Sequence, residues 1–243
     1  MPISAKEFRS LLKEEFAPNL RALGFKGTNG IYRRMASAPF VHIVHLFVDK
    51  YGDSAWVELA VHIDGFPTSA QVQLPPAKVD AAACLIRRRL EHRRLLRWRD
   101  IQVSVGQDPD EARRSIAQLM AALSKDLPRF FGPFDVFPGP LMTLTAQDVL
   151  GKTKATYFLG DGRHTEAPVL LLLAELHLQQ DDPEGATELA EQGQQLCQGK
   201  AGEHLRRLFS RVISGDRRFG FTTQDQEEFK AEQQAFLEEL DRL

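Results

Sequence analysis

The stretch "FVHIVHLFVDKYGDSAWVELAVHID", Phe40 to Asp64, decides the fold. Its first nine residues, Phe40 to Val48, are apolar at both parities, which predicts a central strand covered on both faces. From Ser54 the pattern alternates. Val57, Leu59, Val61 and Ile63 belong to one face, and Trp56, Glu58, Ala60, His62 and Asp64 to the other. Gly65-Phe66-Pro67 ends the second strand. Upstream, "FKGTNGIYRR" predicts two short strands around a Gly-Thr-Asn-Gly turn. Downstream, beyond Pro75-Pro76, "AACLIRRRL" predicts a further strand from Ala82 to Leu90, with a helix as the alternative.

Helices flank these strands. Ser4 and Glu7 form a capping-box pattern ahead of Phe8, Leu11, Leu12 and Phe16 at helical spacing. Leu20 and Leu23 continue the stripe after Pro18, where a kink or restart is expected. Gly24 is a natural residue to end that helix. Asp108, Pro109 and Glu111 predict the start of a second helix, with Ile116, Leu119, Met120, Leu123 and Leu127 buried. "LPRFFGPFDVFPGPLM" is read as irregular because of its prolines and glycines. After about residue 140 the chain reads as helical, with a last helix capped by Thr222 or Thr223. The expected fold class is therefore α+β: an antiparallel sheet of about four to five strands packed by helices, residues 1–140, then an all-helical C-terminal region, residues 141–243. Within that region "LLLAELHLQQDDPEGATELAEQGQQL" resembles one tetratricopeptide unit. No second unit follows at a period of about 34 residues, so a helical hairpin is the expectation.

The chain has 243 residues, 43% hydrophobic and 26% charged, a composition that predicts a folded protein. The longest apolar run, Pro168 to Ala174, is far too short to cross a membrane. The opening "MPISAKEF" lacks a basic segment followed by an apolar one. The two cysteines, Cys84 and Cys197, fit no metal spacing or disulfide framework. Cytoplasmic residence is the expectation. The net charge of −2 conceals an asymmetry, since residues 1–130 carry +6 and the remainder −8.

Sites for chemistry are few. His42 and His45 have an H-x-x-H spacing, but on a strand they point to opposite faces and cannot chelate together. Trp56, Glu58, His62 and Asp64 share a strand face, and such a row either assists proton transfer or forms the solvent side of the strand. "AQDVLGKT", Ala146 to Thr153, misses the phosphate-binding loop because Ala146 replaces its first glycine and no strand precedes it. No serine or cysteine sits in a nucleophile motif. No metal and no cofactor are expected.

The basic run "CLIRRRLEHRRLLRWRD", Cys84 to Asp100, has seven arginines in seventeen positions. In a strand, Arg88 lies on the inward parity and needs a carboxylate, with Glu58 or Asp64 as candidates. Arg87 and Arg89 then point outward, followed by Arg93, Arg94, Arg97 and Arg99 in a turn or short helix. Arg87, Arg89, Arg93, Arg97 and Trp98 are the candidate partner-binding residues. Nucleic acid is the less favoured partner, because the sequence pI is about 6.4 and Trp98 is the one aromatic among the arginines.

Three pieces carry a family resemblance: "LLKEEFAPNLRALGFKGTNGIYRR", "CLIRRRL" with a tryptophan soon after, and the helix ending in "LPRFF". Over residues 4–132 the chain resembles the bacterial family known as domain of unknown function 4304. It departs from that pattern at Leu85, where a histidine is usual, and at Trp98, which is single where a pair is common. The resemblance implies a small cytosolic binding protein, an immunity or antitoxin-like protein that neutralises a toxin by direct contact. The alternative is an enzyme or nucleic-acid-binding factor using Glu58, His62, Asp64 and the Arg87–Arg99 cluster.

Overall fold

The computed structural model describes residues 4–51, 54–66, 68, 73–94, 97–100, 102–104, 108–160, 166–198, 202–218, 227, 230, 231, 234 and 238. For residues 5, 91–94, 97–100 and 102–104 it gives the backbone alone. Two compact units emerge, Met1–His62 with Asp80–Phe137 and Ile63–Val79 with Pro138–Leu243.

The first unit opens with α1 (Ala5–Ala22), whose N-terminus is closed by the reciprocal Ser4–Glu7 box. The helix runs through Pro18 without a break. Pro18 removes one internal hydrogen bond, that to the Glu14 carbonyl, at an exposed position of the helix. The Asn19 side chain donates to the neighbouring Glu15 carbonyl at 2.7 Å. Gly24, at φ 82°, ends the helix, and the Phe25 N–H returns to the Leu20 carbonyl. Strands β1 (Lys26–Thr28) and β2 (Ile31–Met35) pair around Asn29-Gly30. Both turn residues have positive φ, 54° and 82°, the backbone that suits the twist of a two-residue hairpin.

Strands β3 (Phe40–Val48) and β4 (Ser54–Ile63) supply the centre of the sheet, whose strand order is β1-β2-β3-β4-β5. The fifth strand, β5 (Ile86–Arg89), is shorter than the sequence suggests. Ala81–Ala83 forms a tight turn capped by the Asp80 side chain, and pairing begins only at Ile86. Then the chain departs from expectation. Residues 91–94 and 97–100 form a two-stranded antiparallel ribbon, β6 (Glu91–Arg94) and β7 (Arg97–Asp100), in place of a turn or helix. The reason lies at its two ends. Leu90 donates to the Val57 carbonyl, and β8 (Gln102–Ser104) begins opposite Trp56. β5 and β8 thus lie along the same edge of β4, and a chain that must leave and return to adjacent residues makes a hairpin.

Helix α2 (Pro109–Phe131) follows, capped by Asp108 and burying Ile116, Leu119, Leu123 and Leu127. It continues through Pro128 to Phe131, so the Phe-rich stretch becomes irregular only from Gly132. Phe130, Phe131 and Phe134 enter the core of this unit.

In the second unit α3 (Ala146–Gly151) carries a Thr145–Asp148 capping box, and the P-loop-like stretch is spent on that cap and on the Lys152–Glu166 ion pair at 3.1 Å. Helices α4 (Glu166–Gln179) and α5 (Pro183–Leu196) form a hairpin. Helix α6 (Glu203–Ile213) packs on both. α4 is buried from Ala167 to Leu176, as befits a central helix. Gly193 of α5 receives the Phe209 ring of α6: a Cβ at Gly193 would lie 2.2 Å from Phe209 Cζ. The last helix expected from Thr222 falls largely outside the described residues.

Candidate functional site

Strand parity sends the two histidines of β3 to different neighbours. His42 stacks on Phe131 of α2, with ring centroids 4.3 Å apart. His45 stacks instead on Phe47 at 3.7 Å, and Phe47 in turn on Trp56 of β4 at 5.3 Å. They share no ligand position, and the described residues hold no group of three His, Cys, Asp or Glu side chains placed for a metal.

The arginines of β5 alternate in the same way. Arg88, opposite Leu59, reaches Asp126 of α2 at 3.4 Å and lies over the Phe130 ring at 5.0 Å. Its carboxylate partner is therefore neither Glu58 nor Asp64. Glu58 is taken by its cross-strand neighbour Arg89 at 3.4 Å, whose guanidinium also covers the Trp56 ring at 4.9 Å. Arg89, expected to point outward to a partner, is instead engaged inside this unit. Arg87 donates to the Ala82 carbonyl at 2.9 Å and remains half-buried. Arg93, Arg97 and Trp98 have described backbone only. Their register sets Arg93 opposite Trp98, Arg94 opposite Arg97 and His92 opposite Arg99.

The row Trp56, Glu58, His62 and Asp64 is not a solvent face. Ala60 and His62 are buried, Asp64 is exposed beyond the strand end, and Glu58 is ion-paired. Positions four apart on a strand are separated by about 13 Å, too far for Glu58 and His62 to share a proton. Neither cysteine is poised for attack, since burial raises both the Cys84 and the Cys197 thiol. His45 Nδ1 and Trp56 Nε1 are buried with no hydrogen-bond partner among the described residues. Burial lowers the His45 imidazole, while Asp80 and Glu58 pull it upward.

His42 is the most strongly perturbed imidazole. Arg34 donates to its Nδ1 at 3.1 Å, so Nε2 carries the proton and donates to the Phe134 carbonyl at 3.3 Å. Burial, then the Arg34 charge, lowers it to about 4 against the weaker upward pull of the Phe134 carbonyl and Asp135. Because the folded value lies below the unfolded value of about 6.5, the unfolded chain binds the extra proton first. This contribution to stability is complete above about pH 6.5 and lost as pH falls toward 4. Its size is on the order of 3 kcal/mol. Unfolding measured from pH 7 to 4 should show a flatter decline in His42→Phe than in the native chain. Equal slopes would mean that the fold leaves the His42 imidazole at its unfolded value.

The Arg88–Asp126 pair, the Phe47–Trp56 stack and the hairpin itself were not read from the sequence. Each depends on strand pairing or on a partner tens of residues away, for which the chain carries no local signal. No helix among the described residues is long and apolar enough to cross a membrane. Comparison with curated proteins and with solved structures finds no match. One family model does match, and its span runs from the middle of α1 to the end of α2. Residues 16–132 match the model of the family described as a domain of unknown function (DUF4304), and a helical C-terminal region lies beyond the matched residues.

Proposed function

We propose that this is a non-catalytic binding protein of the cytoplasm, an immunity or antitoxin-like protein that neutralises a bacterial toxin by docking on an acidic surface of it. The observation that carries this reading is the β6–β7 ribbon. Four of its eight residues are arginine, and Arg94 is paired directly with Arg97. Like charges facing each other across a ladder destabilise it, and an acidic surface laid against the ribbon relieves that repulsion. Of the polar groups of the enzyme alternative, Glu58 is paired with Arg89 and Asp64 lies exposed beyond the strand end. Arg89 is a scaffold residue in this reading, and the docking residues are Arg87, Arg93, Arg97 and Trp98.

Opposed charge acts chiefly on encounter rate. Arg87→Glu with Arg93→Glu and Arg97→Glu should slow association with the toxin on the order of 100-fold at low salt, with little change in the unfolding midpoint. Glu58→Gln should leave the association rate near native. Binding to the toxin, to single-stranded RNA and to duplex DNA is compared on the same preparations at low and physiological salt. Tight nucleic-acid binding that falls steeply with salt and vanishes in the triple variant would overturn the reading.

A further inference from the structure

At the other end of the strand order from the ribbon, between α1 and the β1–β2 hairpin, the first unit holds a cleft of about 630 Å³. That volume lies within the range of about 300–1,000 Å³ typical of small-molecule sites. Its floor is apolar, built from Leu12 and Ala17 of α1 and Leu46 and Val48 of β3, with the Tyr32 phenol at one side. Its rim is basic. Arg9, Lys13 and Arg21 line it, and no Asp or Glu does.

The spacing explains the shape. Positions 9, 13, 17 and 21 recur every four residues, so they fall along one stripe of the helix. Ala17, the small member of that stripe, leaves the space that a larger side chain would fill. Arg9 and Lys13 are adjacent cations at i, i+4, an arrangement that costs a helix stability. None of the three cations is paired with a carboxylate among the described residues. Lys13 and Arg21 stand about 12 Å apart along the axis, so one anionic group cannot serve both ends equally. The closer pair, Arg9 and Lys13, gains most from an anion.

We infer that this cleft binds a small amphipathic anion, a carboxylate on an alkyl body, with the carboxylate held by Arg9 and Lys13 and the alkyl chain lying on Leu12, Ala17 and Leu46. The chemistry is that of a free fatty acid of medium length rather than of a lipid surface, because the space is that of one small ligand.

The test uses the full chain and monomeric decanoate, followed by calorimetry and by backbone amide shifts. Decan-1-ol serves as the uncharged control, and vesicles of an anionic phospholipid as the surface control. Expected are amide shifts concentrated in α1 and the β1–β2 hairpin, and decan-1-ol binding at least tenfold weaker. Arg9→Gln with Lys13→Gln, both at exposed helix positions, should weaken decanoate at least tenfold, and Arg21→Gln should weaken it less. Any one of three results overturns the inference: no decanoate shifts in the cleft, equal affinity for decan-1-ol or in the double variant, or binding to vesicles without binding to the monomer.

Discussion

Replacing Arg211 by Met should destabilise the helical unit by about 3–5 kcal/mol, the cost of breaking a buried carboxylate–guanidinium pair. Arg211 of α6 donates to Glu175 of α4 at 2.8 Å, and the two side chains are 9% and 2% exposed. Both charges have left water, so the attraction between them offsets a desolvation cost that persists when one partner is removed. Urea unfolding followed by circular dichroism measures the loss, and the midpoint of thermal unfolding should fall by roughly 10–30 °C. Glu175→Leu together with Arg211→Met should recover most of it, since a packed apolar pair of similar volume dispenses with both desolvation costs. A loss below about 1 kcal/mol in the single variant would mean that the pair behaves like a surface ion pair.

Phe131→Ala should cost a similar amount, about 3–5 kcal/mol, by a different route. Phe131 is buried where α2 ends, 5.9 Å from the Phe25 ring, 5.2 Å from Phe130 and stacked on His42. Truncation opens a cavity at the meeting point of α2, β3 and the turn after α1, and these backbones can close only part of it. The change also has a spectroscopic signature. With its stacking partner gone, His42 becomes hydrated, and its imidazole should titrate well above its native value of about 4. Proton resonance titration of the His42 ring reads this directly. An unchanged titration in a folded Phe131→Ala protein would show that Arg34, rather than burial, sets the value.

What the chain reveals of itself depends on how local each determinant is. The Ser4–Glu7 box, the Gly24 terminus and the Asn29-Gly30 turn are settled within four or five residues, and their readings agree with the structure. The inward parity of Arg88 is equally local, being set by Ile86 and Leu90 beside it. Its partner is not, because Asp126 lies 38 residues on and reaches the strand only once α2 has docked. Glu58 meets Arg89 through a register that no single strand encodes. The ribbon is the clearest case. Nothing in "EHRRLLRWRD" favours strand over helix, and the extended state follows from the pairing of Leu90 and Gln102 with β4. Pro18 and Pro128 fail as breakers for a related reason. Each removes a single internal bond, and the packed apolar residues on either side carry the helix past it.

The ribbon's point of attachment makes it a module. It leaves the sheet at Val57 and rejoins it at Trp56, two consecutive residues of β4, so the edge of the sheet is completed by β5 and β8 whatever lies between them. A hairpin of any length or charge satisfies that junction, because the register on either side is fixed by separate strands. The sequence of the ribbon can thus change without renegotiating the core. For the engineer, residues 91–100 form a graft site where a foreign binding hairpin can be spliced onto an intact sheet.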